Sequence, residues 1–161
     1  MTSTEIKPLR DYPEFAPILA YWSYRLWYRK RDIDFNFIIK SYHERTDESA
    51  LPVSRVAIEK SMPVGMASLK ENDLWSRKDL NPWLASLYVE PDFRERGIAE
   101  KLINAVIGKA RELNIQQIYL FLDSSELDVL ERYYLKRGWK YLEDTVDNDG
   151  KDTKIFYFPL S

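Results

Sequence analysis

Hydrophobic and polar residues follow two different periods along this chain, and the changes of period divide it into elements. Residues 5–9 read as a short first strand, ended near Asp11, Tyr12 and Pro13. Phe15, Ile18, Leu19, Trp22, Leu26 and Trp27 then recur at helical spacing and predict an aromatic-rich first helix, with Tyr21, Tyr24 and Tyr28 on or beside its other faces. A second helix is predicted over 35–45 from Phe35, Phe37, Ile38 and Tyr42, with His43 at its end. Residues 51–60 alternate around Val53, Arg55, Val56 and Ile58. Strand composition returns over 64–70 after a Ser61-Met62-Pro63 turn, so the pair reads as an antiparallel hairpin. A polar connection over 71–81 leads to 83–89, an apolar, aromatic and β-branched stretch that reads as a strand stopped by Pro91.

The second half changes period again. Ile98, Leu102, Val106 and Ala110, with Ala99, Ile103 and Leu113 beside them, predict a long helix that starts near Gly97 and is capped at Asn114. Residues 116–122 form a short apolar strand. Strand, helix and strand with no room for another element imply a right-handed parallel crossover, placing 83–89 beside 116–122 in one sheet. Asp123, Ser124 and Ser125 supply an N-cap cluster for a helix carrying Leu127, Leu130, Tyr133 and Tyr134, which stops at Gly138. A closing hairpin is predicted from 139–146 and 154–158 around Asn148, Asp149 and Gly150. Gly65, Gly97, Gly138 and Gly150 are expected at or near turns or termini, and Gly108 inside the long helix for close packing.

Composition narrows the class. The 161 residues, 45% hydrophobic, suffice for one core and are short for two, so a single domain over 1–161 is expected. A net charge of −2 with dispersed basic residues argues against a nucleic-acid surface. The absence of cysteine excludes disulfides and thiolate chemistry. One histidine leaves little basis for a Ser-His-Asp mechanism or a histidine metal centre, and no metal is expected. No apolar run approaches a membrane span and MTSTEIKPLRDYP has no signal core, so no membrane partner and a cytoplasmic location are expected.

The candidate chemistry begins where 83–89 ends. A strand running through a tight basic turn into a helix points several backbone N–H groups at one spot, an anion site. Gly97 permits close backbone approach, Ala99 keeps the next turn slim, and Arg94 and Arg96 add positive charge. The pattern is neither a Walker loop nor a dinucleotide fingerprint. Arg94-x-x-Gly97-x-Ala99 between strand and helix resembles motif A of the GNAT superfamily of N-acetyltransferases, and by that resemblance the anion is the pyrophosphate of acetyl-CoA. Further on, Tyr133-Tyr134-Leu135-Lys136-Arg137-Gly138-Trp139 resembles the superfamily's motif B, in which the tyrosine five residues before the final aromatic donates a proton. That residue is Tyr134.

The resemblance covers the whole chain and implies its consequences together. The fold would be α/β (α+β), a mixed, mostly antiparallel central sheet with a parallel strand pair splayed at the cofactor site and helices on both faces. Acetyl-CoA would be the cosubstrate. Backbone of Leu87, Tyr88 and Val89 would hold its pantetheine arm and polarise the thioester carbonyl, with Arg94, Glu95, Arg96, Gly97, Ile98 and Ala99 around the pyrophosphate. Tyr134 would protonate the departing thiolate. One departure is the asparagine that many members carry after the second parallel strand. Here Asp123, Ser124, Ser125 and Glu126 stand instead, and Ser124 or Ser125 is the candidate replacement. For the general base Glu71 or Asp73 is preferred, with Glu90 also near a strand end. The acidic run Glu143, Asp144, Asp147, Asp149 and Asp152 is either a field attracting a cationic amine or a solvated hairpin turn. The acceptor is a small-molecule amine or a protein amine, and Tyr24, Trp27 and Tyr28 line its pocket or fill core. A homodimer is left open. The alternatives are an inactive acyl-CoA-binding sensor or interaction module of the same fold, and a phosphate-ligand domain unrelated to coenzyme A.

Overall fold

Leu9, directly after the first strand, is fully buried, and it anchors the chain end to the helices that follow. The structure, a computed structural model, describes residues 3–160. Strand β1 (Glu5–Pro8) pairs antiparallel with β2 (Val53–Glu59), which pairs with β3 (Met62–Lys70). The two residues joining β2 to β3 are Lys60 and Ser61, both left-handed with φ of 52° and 65°, so the hairpin turns one residue earlier than expected. Met62 and Pro63 belong to β3. Pro63 faces Ile58 where the register shifts, so its missing N–H falls at an irregularity of the ladder. Gly65 is inside β3 and not at a turn. A Cβ there would come within 3.0 Å of the Tyr88 carbonyl oxygen and 3.2 Å of Leu102, so glycine permits the close approach.

Helix α1 (Ala16–Ser23) buries Ala16, Leu19, Ala20, Trp22 and Ser23. Ile18 and Leu26, expected inward, are exposed. The helix loosens into a π turn over Tyr24–Tyr28, so the spacing that buries Trp22 no longer carries to Leu26 and brings Trp27 partly inward instead. Helix α2 (Phe35–Glu44) starts at Asp34, whose carboxylate accepts the Asn36 N–H at 2.9 Å. It buries Ile38 and Tyr42 and leaves Phe37 and His43 in solvent.

Strand β4 (Trp83–Val89), helix α3 (Ile98–Glu112) and strand β5 (Gln117–Phe121) follow the predicted succession. The α3 stripe of Ile98, Leu102, Ile103, Val106 and Ala110 is buried as its period requires. Asn114 is left-handed with φ of 61°. Its N–H reaches the Arg111 carbonyl and the Ile115 N–H reaches that of Ala110, the paired bonds of a Schellman ending. Gly108 is exposed and no atom lies within 4 Å of where its Cβ would be, so it serves no close packing. Helix α4 (Leu127–Lys136) and strands β6 (Lys140–Val146) and β7 (Asp152–Pro159) complete the chain.

The strand order is β1-β2-β3-β4-β5-β7-β6. Antiparallel pairing dominates, and the parallel pair is β4 with β5, in register at Trp83 and Tyr119. The chain divides into two compact units, Met1–Leu69 with Ser86–Gly108, and Lys70–Ala85 with Lys109–Ser161. In the first, α1 and α2 supply Leu19, Trp22, Ile38 and Tyr42 to a core closed by Val56, Met66 and Tyr88. In the second, Leu74, Trp83 and Ile155 are packed with Leu80, Tyr119 and Phe121. No described helix is long and apolar enough to cross a membrane.

Candidate acetyl-CoA site

The candidate residues fall into two groups, one in each compact unit. In the first unit, β4 leaves the extended conformation at Ser86, where φ is 55°. Tyr88 and Val89 beyond it are buried and Leu87 is half-buried, so what Tyr88 and Val89 can offer a ligand is chiefly backbone. The Tyr88 ring packs on Trp22 with centroids 5.3 Å apart. Its hydroxyl accepts from Arg25 at 2.8 Å and donates to Glu90 at 3.0 Å. Burial raises the Tyr88 phenol above its ordinary pKa, and the Glu90 carboxylate adds to the effect.

The turn that follows is built by conformation as much as by charge. Glu95 and Gly97 are both left-handed, with φ of 63° and 78°, and they deliver the chain into α3. The Gly97 carbonyl accepts the Lys101 N–H, so Gly97 stands as the helix cap, with the first donors of α3 directly after it. Residues 94–97 are exposed, and a Cβ on Gly97 would meet nothing within 4 Å, so the helix N-terminus here is open to solvent. Ala99 is half-buried in the first helical turn and Ile98 is buried, so Ile98 is a core side chain that contributes backbone only.

Both arginines of the turn also have protein partners. Arg94 donates from Nε to the Val89 carbonyl at 2.9 Å and lies 5.7 Å from the Tyr88 ring, so it braces the end of β4. Arg96 is 3.3 Å from both carboxylate oxygens of Glu59 and lies over the Phe93 ring. Part of its charge is therefore offset before any ligand binds. Glu59, Glu90, Phe93 and Arg96 also border a cavity of about 970 Å³ floored by Ile18 and Trp22. Tyr24 packs on Phe35 with centroids 5.4 Å apart, and Trp27 and Tyr28 lie half-buried against the first core, so these aromatics fill space there.

The second unit holds Tyr134, Ser124, Glu71 and Asp73. Helix α4 ends in a second Schellman motif, with Gly138 at φ of 94°, its N–H on the Leu135 carbonyl and the Trp139 N–H on the Tyr134 carbonyl. Tyr134 is 6% exposed, wedged edge-on between Tyr133 and Trp139, and its hydroxyl makes no hydrogen bond among the described residues. Burial pushes its phenol far above the ordinary tyrosine value, with a smaller push from Tyr133 against a counter-pull from Arg137. Asp123 accepts the Ser125 N–H at 2.9 Å and the Ser125 hydroxyl at 2.8 Å, so Ser125 is committed to the cap. Ser124 is half-buried and opens the short 3₁₀ turn before α4.

Glu71 is exposed, and Asp73 lies 3.6 Å from Lys70. The Asp73 carbonyl also receives the Asn148 amide at 2.9 Å. Three carboxylates of the acidic run have neighbouring partners: Glu143 binds Arg77, Asp144 binds Tyr141 and Lys154, and Asp147 accepts the N–H groups of Asp149 and Lys151 across the hairpin turn. The described residues contain no group of three or more His, Asp or Glu placed to hold a metal.

Sequence reasoning missed the bridge from Arg25 through Tyr88 to Glu90, and it missed Arg45, a buried arginine beside Ser86. The only local signal for either was a charged residue next to an apolar run.

Known structures agree with this architecture. The yncA protein of Salmonella typhimurium, solved with its cofactor acetyl-CoA, is 15% identical with a TM-score of 0.71, covering 100% of this chain and 95% of that one. An aminoglycoside 6'-N-acetyltransferase complexed with coenzyme A is 15% identical with a TM-score of 0.72, at coverages of 98% and 97%. An N-acetyltransferase from Staphylococcus aureus is 16% identical with a TM-score of 0.74, at 99% of each chain. Among curated protein sequences none matches significantly. Residues 9–139, most of the chain and parts of both compact units, match the acetyltransferase (GNAT) family, and the chain belongs to that family.

Proposed function

We propose that this protein is an acetyl-CoA-dependent N-acetyltransferase in which a primary amine attacks the thioester directly within a ternary complex, and that residues 1–161 act as one domain. The observation that carries this reading is the exposed turn in which left-handed Glu95 and Gly97 bring β4 into the N-terminus of α3. Acetyl-CoA, when bound, supplies the activated acetyl group. Arg94, Glu95, Arg96, Gly97 and the first residues of α3, Ile98 and Ala99, hold its pyrophosphate, while backbone of Leu87, Tyr88 and Val89 holds the pantetheine arm and polarises the carbonyl. Ser124 is the proposed stand-in for the family's cofactor asparagine.

An amine acceptor with a pKa near 10.4 is mostly protonated at neutral pH and has to lose a proton before it attacks. Glu71 or Asp73 is the proposed base, and the pairing of Asp73 with Lys70 favours Glu71 of the two. The amine nitrogen then bonds to the carbonyl carbon, the carbon–sulfur bond breaks, and the sulfur takes a proton. Tyr134 is the proposed donor. Burial keeps its phenol protonated across the neutral range and also makes it a reluctant acid, so it acts first as a hydrogen-bond donor to the developing thiolate. Small-molecule amines, aminoglycosides among them, and protein amines are the acceptors to test. A cytoplasmic setting and a homodimer belong to the same proposal.

Calorimetric titration of acetyl-CoA, ATP and NAD into the folded protein tests the cofactor, followed by an amine screen that reads release of free thiol. Binding of acetyl-CoA alone, then thiol release on adding an amine, is the expected result. Failure to bind acetyl-CoA would remove the acetyltransferase reading.

A further inference from the structure

Arg45 is 3% exposed, and among the described residues it meets no carboxylate. The terminal nitrogens of its guanidinium meet hydroxyls: one donates to Ser68 at 3.0 Å and to Ser86 at 3.5 Å, and the other to Ser41 at 3.2 Å. The group lies 3.8 Å over the Tyr42 ring, and its Nε is buried without a partner. Ser68 is bonded in turn to Ser54, so the cluster ties the end of α2 to β2, β3 and β4.

A buried charge held only by neutral groups is expensive, and a neutral side chain of similar shape would fill the space at lower cost. The ring face of Tyr42 and the C-terminus of α2, where Arg45 is the capping residue, offset part of that cost. Besides Ser68 and Ser41, the charge reaches Ser86, the residue at which β4 turns left-handed, a conformation that carries a steric cost for residues other than glycine. Residues 87–89 follow directly.

We infer that Arg45 is a positioning residue: it grips the Ser86 hydroxyl, holds the break in β4, and so aims the backbone of residues 87–89 at the thioester carbonyl of acetyl-CoA. This rests on the acetyltransferase reading proposed above. The long spacing from Arg45 to Ser86 in sequence explains why no motif reveals the pair.

The contact with the carbonyl exists for acetyl-CoA and not for coenzyme A, so the preference between the two reads the aim of residues 87–89 without needing an acceptor. Calorimetry with both ligands is run on wild type, Arg45→Met, Ser86→Ala and Ser86→Gly, alongside a melting curve for each. The expected result is that Arg45→Met and Ser86→Ala lower the affinity for acetyl-CoA by about threefold to tenfold more than they lower that for coenzyme A, the worth of one hydrogen bond to the carbonyl. Ser86→Gly, which reaches positive φ without the grip, loses less than Ser86→Ala. If Arg45→Met does not fold, the two Ser86 variants decide the matter. Parallel loss of both ligands, or an unchanged preference in folded variants, overturns the inference and leaves the acetyltransferase reading standing. A wild type that binds neither ligand removes both.

Discussion

Tyr134 and Trp139 meet edge to face, with ring centroids 5.7 Å apart and planes at 76°, across the turn that Gly138 makes at the end of α4. The contact is the apolar component of a Schellman ending, in which the residue after the left-handed glycine packs against the third residue from the helix end. The spacing from Tyr134 through Gly138 to Trp139 therefore has a mechanical reason: it locks the ring of the proposed donor while leaving its hydroxyl without a hydrogen-bond partner among the described residues.

Replacing Gly138 by alanine forces a Cβ into a φ of 94° and to 3.3 Å from Phe158. The loss is expected to be about 1–2 kcal/mol in urea unfolding, with Gly138→Asn losing less. An alanine variant as stable as wild type would mean that the ending reshapes without cost.

Tyr134→Phe removes the hydroxyl and keeps the ring wedge. Stability at neutral pH and acetyl-CoA affinity should hold, while kcat with a competent amine falls about 100-fold or more. Turnover at the wild-type rate would remove Tyr134 from the chemistry.

The same substitution has an alkaline signature. Burial raises the folded-state pKa of Tyr134, so its contribution is complete below the unfolded tyrosine value near 10 and is lost as pH rises above it. Urea unfolding between about pH 9 and 11 should show wild type losing up to about 1.4 kcal/mol per pH unit more than Tyr134→Phe in that upper range. Equal slopes would show that the phenol ionises alike in both states.

Gly97 separates backbone strain from bulk. Its φ of 78° penalises any side chain, yet the space around it is open. Gly97→Ala should cost about 1 kcal/mol of stability and little acetyl-CoA affinity, whereas Gly97→Glu should abolish calorimetric binding in a folded protein by placing a negative charge in the anion turn. Retained binding in Gly97→Glu would place the pyrophosphate elsewhere.

Gly108 offers the opposite sign. It lies exposed within α3 with nothing near its would-be Cβ, so Gly108→Ala should stabilise by about 1 kcal/mol, read as a higher urea midpoint. A loss of stability would point to a neighbour on that face.

The elements that carry the candidate site were legible because their signals are local. A strand stopped by proline, a glycine before a 3.6-residue stripe and a glycine after another are decided by residues a few positions apart, and β4, α3 and both Schellman endings stand where those patterns put them. Even the misplaced hairpin turn was off by one residue, since Lys60 and Ser61 carry no glycine to mark their positive φ.

What the chain determined by itself is this succession of elements and their caps, because propensity and dihedral preference act within one turn or one strand. Tertiary structure decided the rest. Arg96 spends charge on Glu59, 37 residues away, Gly65 admits the Tyr88 carbonyl, and Arg45 reaches Ser86 across 41 residues. Each depends on which elements pack together and what they remove from water, and burial of a charge or a missing Cβ has no energetic meaning until that packing exists.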